Sequence, residues 1–347
     1  MAALSLSESV DRILEGARGV EFTGAVARVE HRGKLIFERA YGVTREDELG
    51  RAVYADTLFD LASLTKLFVT TLSLQAVAAR MLELDEPLSR VIHEWSKRPH
   101  AAISLRMLLA HTSGMNSGAD YRAILDRNVE AFALGSDLIA KPGERVIYSD
   151  LGFIALGVVL ERTYGRSLAA LARASFTPTP MFRPPFLQRL DIPATEDDGW
   201  RGRVQGFVHD EKAYLMGGVA GHAGLFGTAA DVAALTECYL GSLRGRRETL
   251  LPRELAREAT SLQADDPVLR RGLGWALKTT DENSCGRWMD FSSFGHTGFV
   301  GTCVWADPVR DLQGVLLTNG VYFGRAGDAR DLRASFYEGL VQCVPLD

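Results

Sequence analysis

Lysine is scarce in this chain, with six in 347 residues, and the formal net charge is −5 at a pI near 5.9. No basic surface therefore recommends it to nucleic acid or to anionic lipid. Cysteine is also sparse: Cys238, Cys285, Cys303 and Cys343 lie in the last third, in no CxxC pair and at no zinc-finger spacing from a histidine. That excludes a disulfide framework and a structural zinc site. No window approaches the roughly 18 to 20 consecutive apolar residues of a membrane span. The N-terminus lacks the basic start, apolar centre and small-residue cleavage site of a signal peptide, so the sequence predicts a cytoplasmic protein, or a periplasmic one if a leader has been removed. GxSxG, HExxH, GxGxxG and GK[ST] are all absent, so the common nucleophile elbow, zinc and phosphate-binding signatures drop out, and no cofactor is expected.

What is present reads as α/β. Residues 24–42 give two alternating β runs around His31, Arg32 and Gly33, the pattern of a hairpin. Residues 272–278, 298–308 and 312–320 are further β-like runs near the other end, followed by a closing helix from Asp328 with Leu332, Phe336 and Leu340 on one stripe. Between them, residues 61 to about 170 are mostly helical in pattern. In residues 150–165, Leu151, Ile154, Ala155, Val158 and Val159 fall at helical spacing and Gly165 supplies the stop. Thr228 with Asp231 reads as a capping box for a helix through Leu240. Residues 174–206, rich in Pro, Arg and Asp, read as a long irregular connection. The expected architecture is an antiparallel sheet from residues 1–60 and 205–347, with an inserted helical region at 61–204 and a cleft between the two.

The stretch FDLASLTKLFVTTL, residues 59–72, places Ser63 three residues before Lys66 at the start of a helix apolar on nearly every side. The two side chains share one helix face. A serine hydroxyl is a poor nucleophile without a neighbouring base, and a lysine with nowhere solvated to go is a candidate for that task. Two further groups follow in order: YSD, Tyr148 to Asp150, just before an amphipathic helix, and HTG, His296 to Gly298, read as opening a β run.

Ser-x-x-Lys, then Tyr-x-Asn or a variant, then Lys or His-Thr-Gly is the motif order of the penicillin-recognising serine hydrolases. The chain resembles the superfamily of class C β-lactamases, serine esterases and D-alanyl peptidases. Residues 105–115, 141–161 and 206–235 extend the resemblance, the last toward the penicillin-binding-protein-like branch. The resemblance implies a β-lactamase/transpeptidase-like fold and a serine hydrolase acting through an acyl-enzyme on a small ester, amide or β-lactam-like molecule. It implies Ser63 as nucleophile and Lys66 and Tyr148 sharing the proton transfers. Asp150, His296, Thr297, Gly298 and Phe299 would line the substrate site, the Ser63 and Phe299 amides forming the oxyanion hole.

Two positions depart from the class C pattern. Asp150 replaces asparagine, and a carboxylate there should keep Lys66 protonated and leave Tyr148 as the base. His296 replaces a lysine and, with a reference pKa near 6.5, is mostly neutral at pH 7.5. Both changes weaken recognition of a substrate carboxylate, so slow or absent β-lactam turnover is expected. The alternative is a non-catalytic sensor or binding protein that keeps the cleft. Among the remaining candidates, His111 reads as a structural loop histidine. His209, Asp210 and His222 fit no compact metal-ligand spacing and read as ordering the cleft wall.

Overall fold

The computed structural model describes residues 4–118, 121–176, 180–246, 250–327 and 329–344. In chain order the main helices are α1, Leu6–Ala17; α2, Thr65–Ala78; α3, Asp150–Tyr164; α4, Ala229–Leu243; and α5, Arg330–Cys343. The main strands are β1, Gly24–His31; β2, Lys34–Gly42; β3, Ala276–Leu277; β4, Phe294–Thr297; β5, Cys303–Asp307; and β6, Leu312–Thr318. They form one antiparallel sheet in the order β2-β1-β6-β5-β4-β3. β1 pairs with β6 from Ala25–Thr318 to His31–Leu312, so the two ends of the chain meet in the middle of the sheet.

Local chemistry explains these elements. The β1–β2 hairpin turns at Arg32 and Gly33, both with positive φ. α1 starts at a reciprocal Ser5–Glu8 capping box and turns Val10 and Leu14 inward. α1 and α5 cover one face of the sheet, where Val10, Leu14, Phe336 and Leu340 meet Ala25, Ala27, Trp305 and Leu316. α4, opened by the expected Thr228–Asp231 box and running three residues past Leu240, crosses β1, β5 and β6 on the other face. Gly165 ends α3 in a left-handed conformation, as its sequence predicts.

The helical region does not have a core of its own. Leu64 and Phe68, Leu156 of α3 and Val232 of α4 belong to the same apolar cluster as Val304, Val315 and Leu317 of the sheet. α2 is buried continuously from Thr65 to Leu74, in keeping with its apolar perimeter. The 174–206 connection is largely irregular, but Met181–Phe182 pins it by pairing with Leu225–Gly227, which also pairs with Phe59–Asp60.

Two expected boundaries move. The run at 272–278 reduces to β3, because Gly274 adopts a positive φ and its close approach to Thr70 belongs to a turn. HTG does not open a strand: His296 and Thr297 close β4, and the chain reverses through Gly298–Thr302 before β5 begins. The expected start of the last helix, Asp328, lies outside the described residues.

Candidate active site

Ser63 lies in a single 3-10 turn, Ala62–Leu64, that runs directly into α2. The preceding Ala62 has a φ of 45°, a left-handed conformation that costs a non-glycine residue about 1–2 kcal/mol. The Asp60 carboxylate holds it there, accepting hydrogen bonds from the Ala62 amide at 2.8 Å and the His209 amide at 2.7 Å. Val300 and Val321 pack on the Ala62 methyl. The strained turn projects Ser63 at the mouth of a buried helix, where backbone amides and the helix field favour negative charge.

One turn on, Lys66 is fully buried. Its Nζ donates to Ser63 Oγ at 3.0 Å and to the His222 carbonyl at 3.1 Å, and pairs with Asp150 Oδ1 at 2.9 Å. Two of its three protons are thus committed to hydrogen bonds, and the Asp150 carboxylate adds an ion pair. Burial opposes the charge, but Asp150 and Tyr148 outweigh it and hold the lysine above its ordinary pKa. The expectation that Asp150 keeps Lys66 protonated therefore agrees with the structure. The simpler idea of a lysine neutralised by desolvation does not.

Tyr148 sits beside this ammonium, its ring centroid 4.9 Å from Lys66 Nζ. It shares with Ser63 a cleft of about 490 Å3 that Thr297, Gly298 and Phe299 also line. His111 fixes the tyrosine's segment from both sides: its carbonyl accepts from the Ile147 amide and its Nδ1 accepts from the Ser149 amide at 3.0 Å. The imidazole also packs against the tilted Tyr148 ring, the two centroids 4.6 Å apart. Burial, with Arg271 and Lys66 nearby, keeps His111 well below its usual pKa, as an acceptor at Nδ1 requires. It is a structural histidine, as its loop position indicated. Ser149 then caps α3 by accepting from the Gly152 amide, which places Asp150 in the first helical turn.

Asp150 does not face the cleft as a substrate contact. Its second oxygen lies 3.3 Å from Lys212 Nζ, which lies 3.4 Å from Asp210; Asp210 in turn is 2.7 Å from His222 Nε2. Sequence reasoning did not single out Lys212, although its rarity as one of six lysines and its place two residues after Asp210 were visible. Burial opposes ionisation of Asp210, but His222 and Lys212 prevail and hold its carboxyl well below the usual range. Donor atoms of Asp150, Asp210 and His222 lie within 4.8 Å of one another. The two lysine ammoniums already balance the two carboxylates, so the group reads as an ion-pair network and not as a cation site. Gly221 lets this wall approach α3, since a Cβ there would meet the Phe153 carbonyl oxygen at 1.9 Å.

The opposite wall is the Gly298–Thr302 turn. Its contact with the nucleophile turn is direct: Thr302 Oγ1 donates to the Leu61 carbonyl at 3.3 Å. Arg333 donates from one nitrogen to the carbonyls of Gly298 and Thr302 while its Nε has no partner, and Arg325 pairs with Glu196 and Glu211. Phe299 is exposed on the cleft and stacks on His209 at 5.6 Å. His296 differs from its neighbours. It is buried, its Nδ1 donates to the Thr297 carbonyl, and burial beside Arg271 and Lys66 pushes its pKa down to about 3. It is neutral, as expected, but it lies behind Tyr148 and not on the cleft surface. A larger cavity of about 800 Å3, walled by Arg183, Phe186, Arg189, Phe207 and Tyr214, contains none of Ser63, Lys66 or Tyr148.

The Beta-lactamase family model matches residues 10–338. The N-acetylmuramyl-L-alanine amidase of Bacillus subtilis (strain 168) is 30% identical, over 89% of this chain and 80% of that protein. Esterase EstB of Burkholderia gladioli is 30% identical, over 94% of this chain and 93% of that one. The solved structure of EstCE1, a hydrolase with promiscuous acyltransferase activity, superposes with a TM-score of 0.77 at 21% identity, covering 96% of this chain and 98% of that chain, a likeness of fold. With a strained serine turn, its lysine and the tyrosine gathered on one cleft, and a family match along nearly its whole length, this chain belongs to the β-lactamase family.

Proposed function

We propose that this chain is a serine hydrolase that cleaves a small ester or amide through an acyl-enzyme on Ser63, with Tyr148 as the proton carrier and Lys66 as a fixed cation. In the first half, Tyr148 as phenolate takes the Oγ proton while Oγ bonds to the substrate carbonyl carbon. The carbonyl oxygen becomes an oxyanion, stabilised by the Ser63 and Phe299 amides, a contribution of about 3–4 kcal/mol per donor. The carbon–leaving-group bond then breaks and Tyr148 returns its proton to the departing oxygen or nitrogen. In the second half, water gives a proton to Tyr148 and its oxygen to the acyl carbon; Oγ leaves and recovers that proton.

The observation that carries this division of labour is the ion pair between Lys66 and Asp150. With a carboxylate at 2.9 Å and its protons donated to Ser63 Oγ and the His222 carbonyl, Lys66 is a poor acceptor for the serine proton. What it does supply is positive charge next to the phenolate and the attacking oxygen, which is electrostatic preorganisation. A fluorophosphonate probe tests the proposal: mass analysis is expected to place the adduct on the Ser63 peptide, and Ser63→Ala to lose both the adduct and 4-nitrophenyl acetate hydrolysis while keeping its circular dichroism. Labelling retained in a folded Ser63→Ala protein refutes it.

Small neutral esters are the favoured substrates over β-lactams. The neutral, buried His296 and Arg325, which is paired with Glu196 and Glu211, support this, because neither offers an unpaired cation to the fixed carboxylate of a rigid β-lactam. Faster turnover of a cephalosporin than of short-chain 4-nitrophenyl esters would overturn that preference.

A further inference from the structure

The cavity of about 800 Å3 collects cations and rings in one place: Arg183, Arg189 and Arg201 line it with Phe186, Phe207 and Tyr214. No carboxylate lines it among the described residues. Arg201 is already paired, with Asp198 at 2.7 Å, and donates to the carbonyls of Val208 and His209. Arg183 and Arg189 are not. Each is tethered through Nε to a backbone carbonyl, that of Gly217 for Arg183 and that of Gln205 for Arg189, and the terminal nitrogens of both have no protein partner among the described residues. The acidic groups of the neighbouring segments are committed elsewhere: Asp191 to Arg51, and Glu196 to His209 and Arg325.

Glycines in left-handed backbone let both arginines lie flat on the wall. A Cβ on Gly206 would meet Arg189 Cα at 2.7 Å, and one on Gly217 would meet a terminal nitrogen of Arg183 at 3.0 Å. The Arg189 guanidinium carbon is 5.2 Å from the Phe186 ring centroid and 4.9 Å from that of Phe207. A guanidinium stacked on rings keeps its in-plane N–H groups free for a planar anion. The rings themselves are poorly covered, with Phe186 76% and Tyr214 40% exposed. Apolar walls with a few placed donors, in a concavity of this size, are the composition of a small-molecule site.

This cavity has no lining residue in common with the Ser63 cleft. One segment separates the two: Val208 and Tyr214 face the cavity, whereas His209 stacks on Phe299 of the cleft and Lys212 pairs with Asp150. We propose that the cavity is a second ligand site, apart from the catalytic one, for a small aromatic carboxylate. The flat body of the ligand covers Phe186 and Phe207, and its two coplanar oxygens take the terminal N–H groups of Arg189, with Arg183 adding positive charge. This site goes beyond the hydrolase reading and stands whether or not Ser63 is the nucleophile.

Calorimetric titration with 2-naphthoate tests it, with 2-naphthamide as the uncharged control and acetate as the control without rings. The expected result is one saturable naphthoate site per chain, with both controls bound at least about 10-fold more weakly. Arg189→Gln is expected to weaken naphthoate binding by about 10- to 100-fold, as for loss of charge-assisted hydrogen bonds. Phe186→Ala should weaken it by about 3- to 10-fold, as for loss of one aromatic contact. Absence of saturable binding, equal binding of naphthamide, or an affinity unmoved in Phe186→Ala or in folded Arg189→Gln overturns the proposal. Phe186 is on the surface, so its truncation leaves the fold intact and decides the matter if Arg189→Gln does not fold. Kinetics with 4-nitrophenyl acetate locate the ligand: naphthoate that raises KM in proportion to its concentration occupies the Ser63 cleft, and that result also overturns the second site.

Discussion

Replacing Gly298 by alanine would place a Cβ 2.1 Å from Thr302 Oγ1, 2.8 Å from the Leu61 carbonyl oxygen and 3.3 Å from Ala62 Cβ. Non-bonded heavy atoms prefer separations of about 3.5–4.0 Å, so the first contact is short by more than about 1 Å. Thr302 has little freedom to yield, because it is fully buried and its hydroxyl is bonded to the same Leu61 carbonyl. The strain therefore passes into residues 61–63. Overpacking of this kind costs about 1–3 kcal/mol of stability. A displacement of about 1 Å at a reacting atom costs on the order of 100-fold in rate. Gly298→Ala is thus expected to fold, with a lower urea midpoint, and to hydrolyse 4-nitrophenyl acetate about 100-fold more slowly, with fluorophosphonate labelling slowed in parallel. Adding Thr302→Ala removes the shortest contact but not the Leu61 one, and should restore only part of the rate. Activity within about threefold of the natural protein in Gly298→Ala would refute the claim that this turn and the serine turn are packed as one unit.

Lys212→Met is expected to lower stability by about 2–4 kcal/mol, because it removes one member of a largely buried charge network and leaves Asp150 and Asp210 under-compensated. The sign with pH follows from the depressed carboxyl pKa values of both aspartates. Their stabilising contribution is present above the unfolded carboxylate pKa and is lost as pH falls through the folded one, so the variant should begin losing it at higher pH. Urea titrations at pH 7 and pH 4.5 check this, and equal stability losses at the two values would contradict it. His296 contributes an acid-side slope of its own. Its folded pKa of about 3 lies below the ordinary 6.5, so its contribution is complete above about pH 6.5 and falls by about 1.4 kcal/mol per pH unit as acid titrates the unfolded chain. His296→Asn should flatten the stability curve between pH 6 and pH 4, and an unchanged slope would show that the ring is not held neutral.

Local sequence determined much of this protein. Ser63 and Lys66 are one helical turn apart whatever the rest of the chain does, and the capping residues Ser149 and Thr228 mark helix starts because their side chains bond amides three residues on. Alternation along residues 24–42 made a hairpin, and the order of the three motifs indicated the family. Only the tertiary structure decided which charges meet. Lys212 reaches Asp150 from 62 residues away, Arg271 is buried against the Tyr148 ring, and HTG ends one strand instead of beginning the next. Hydrogen bonding and side-chain periodicity act over a few residues and so are written locally. Burial, and with it the strength of every charge interaction in the site, depends on which distant segments exclude water together, and a linear pattern does not carry that information.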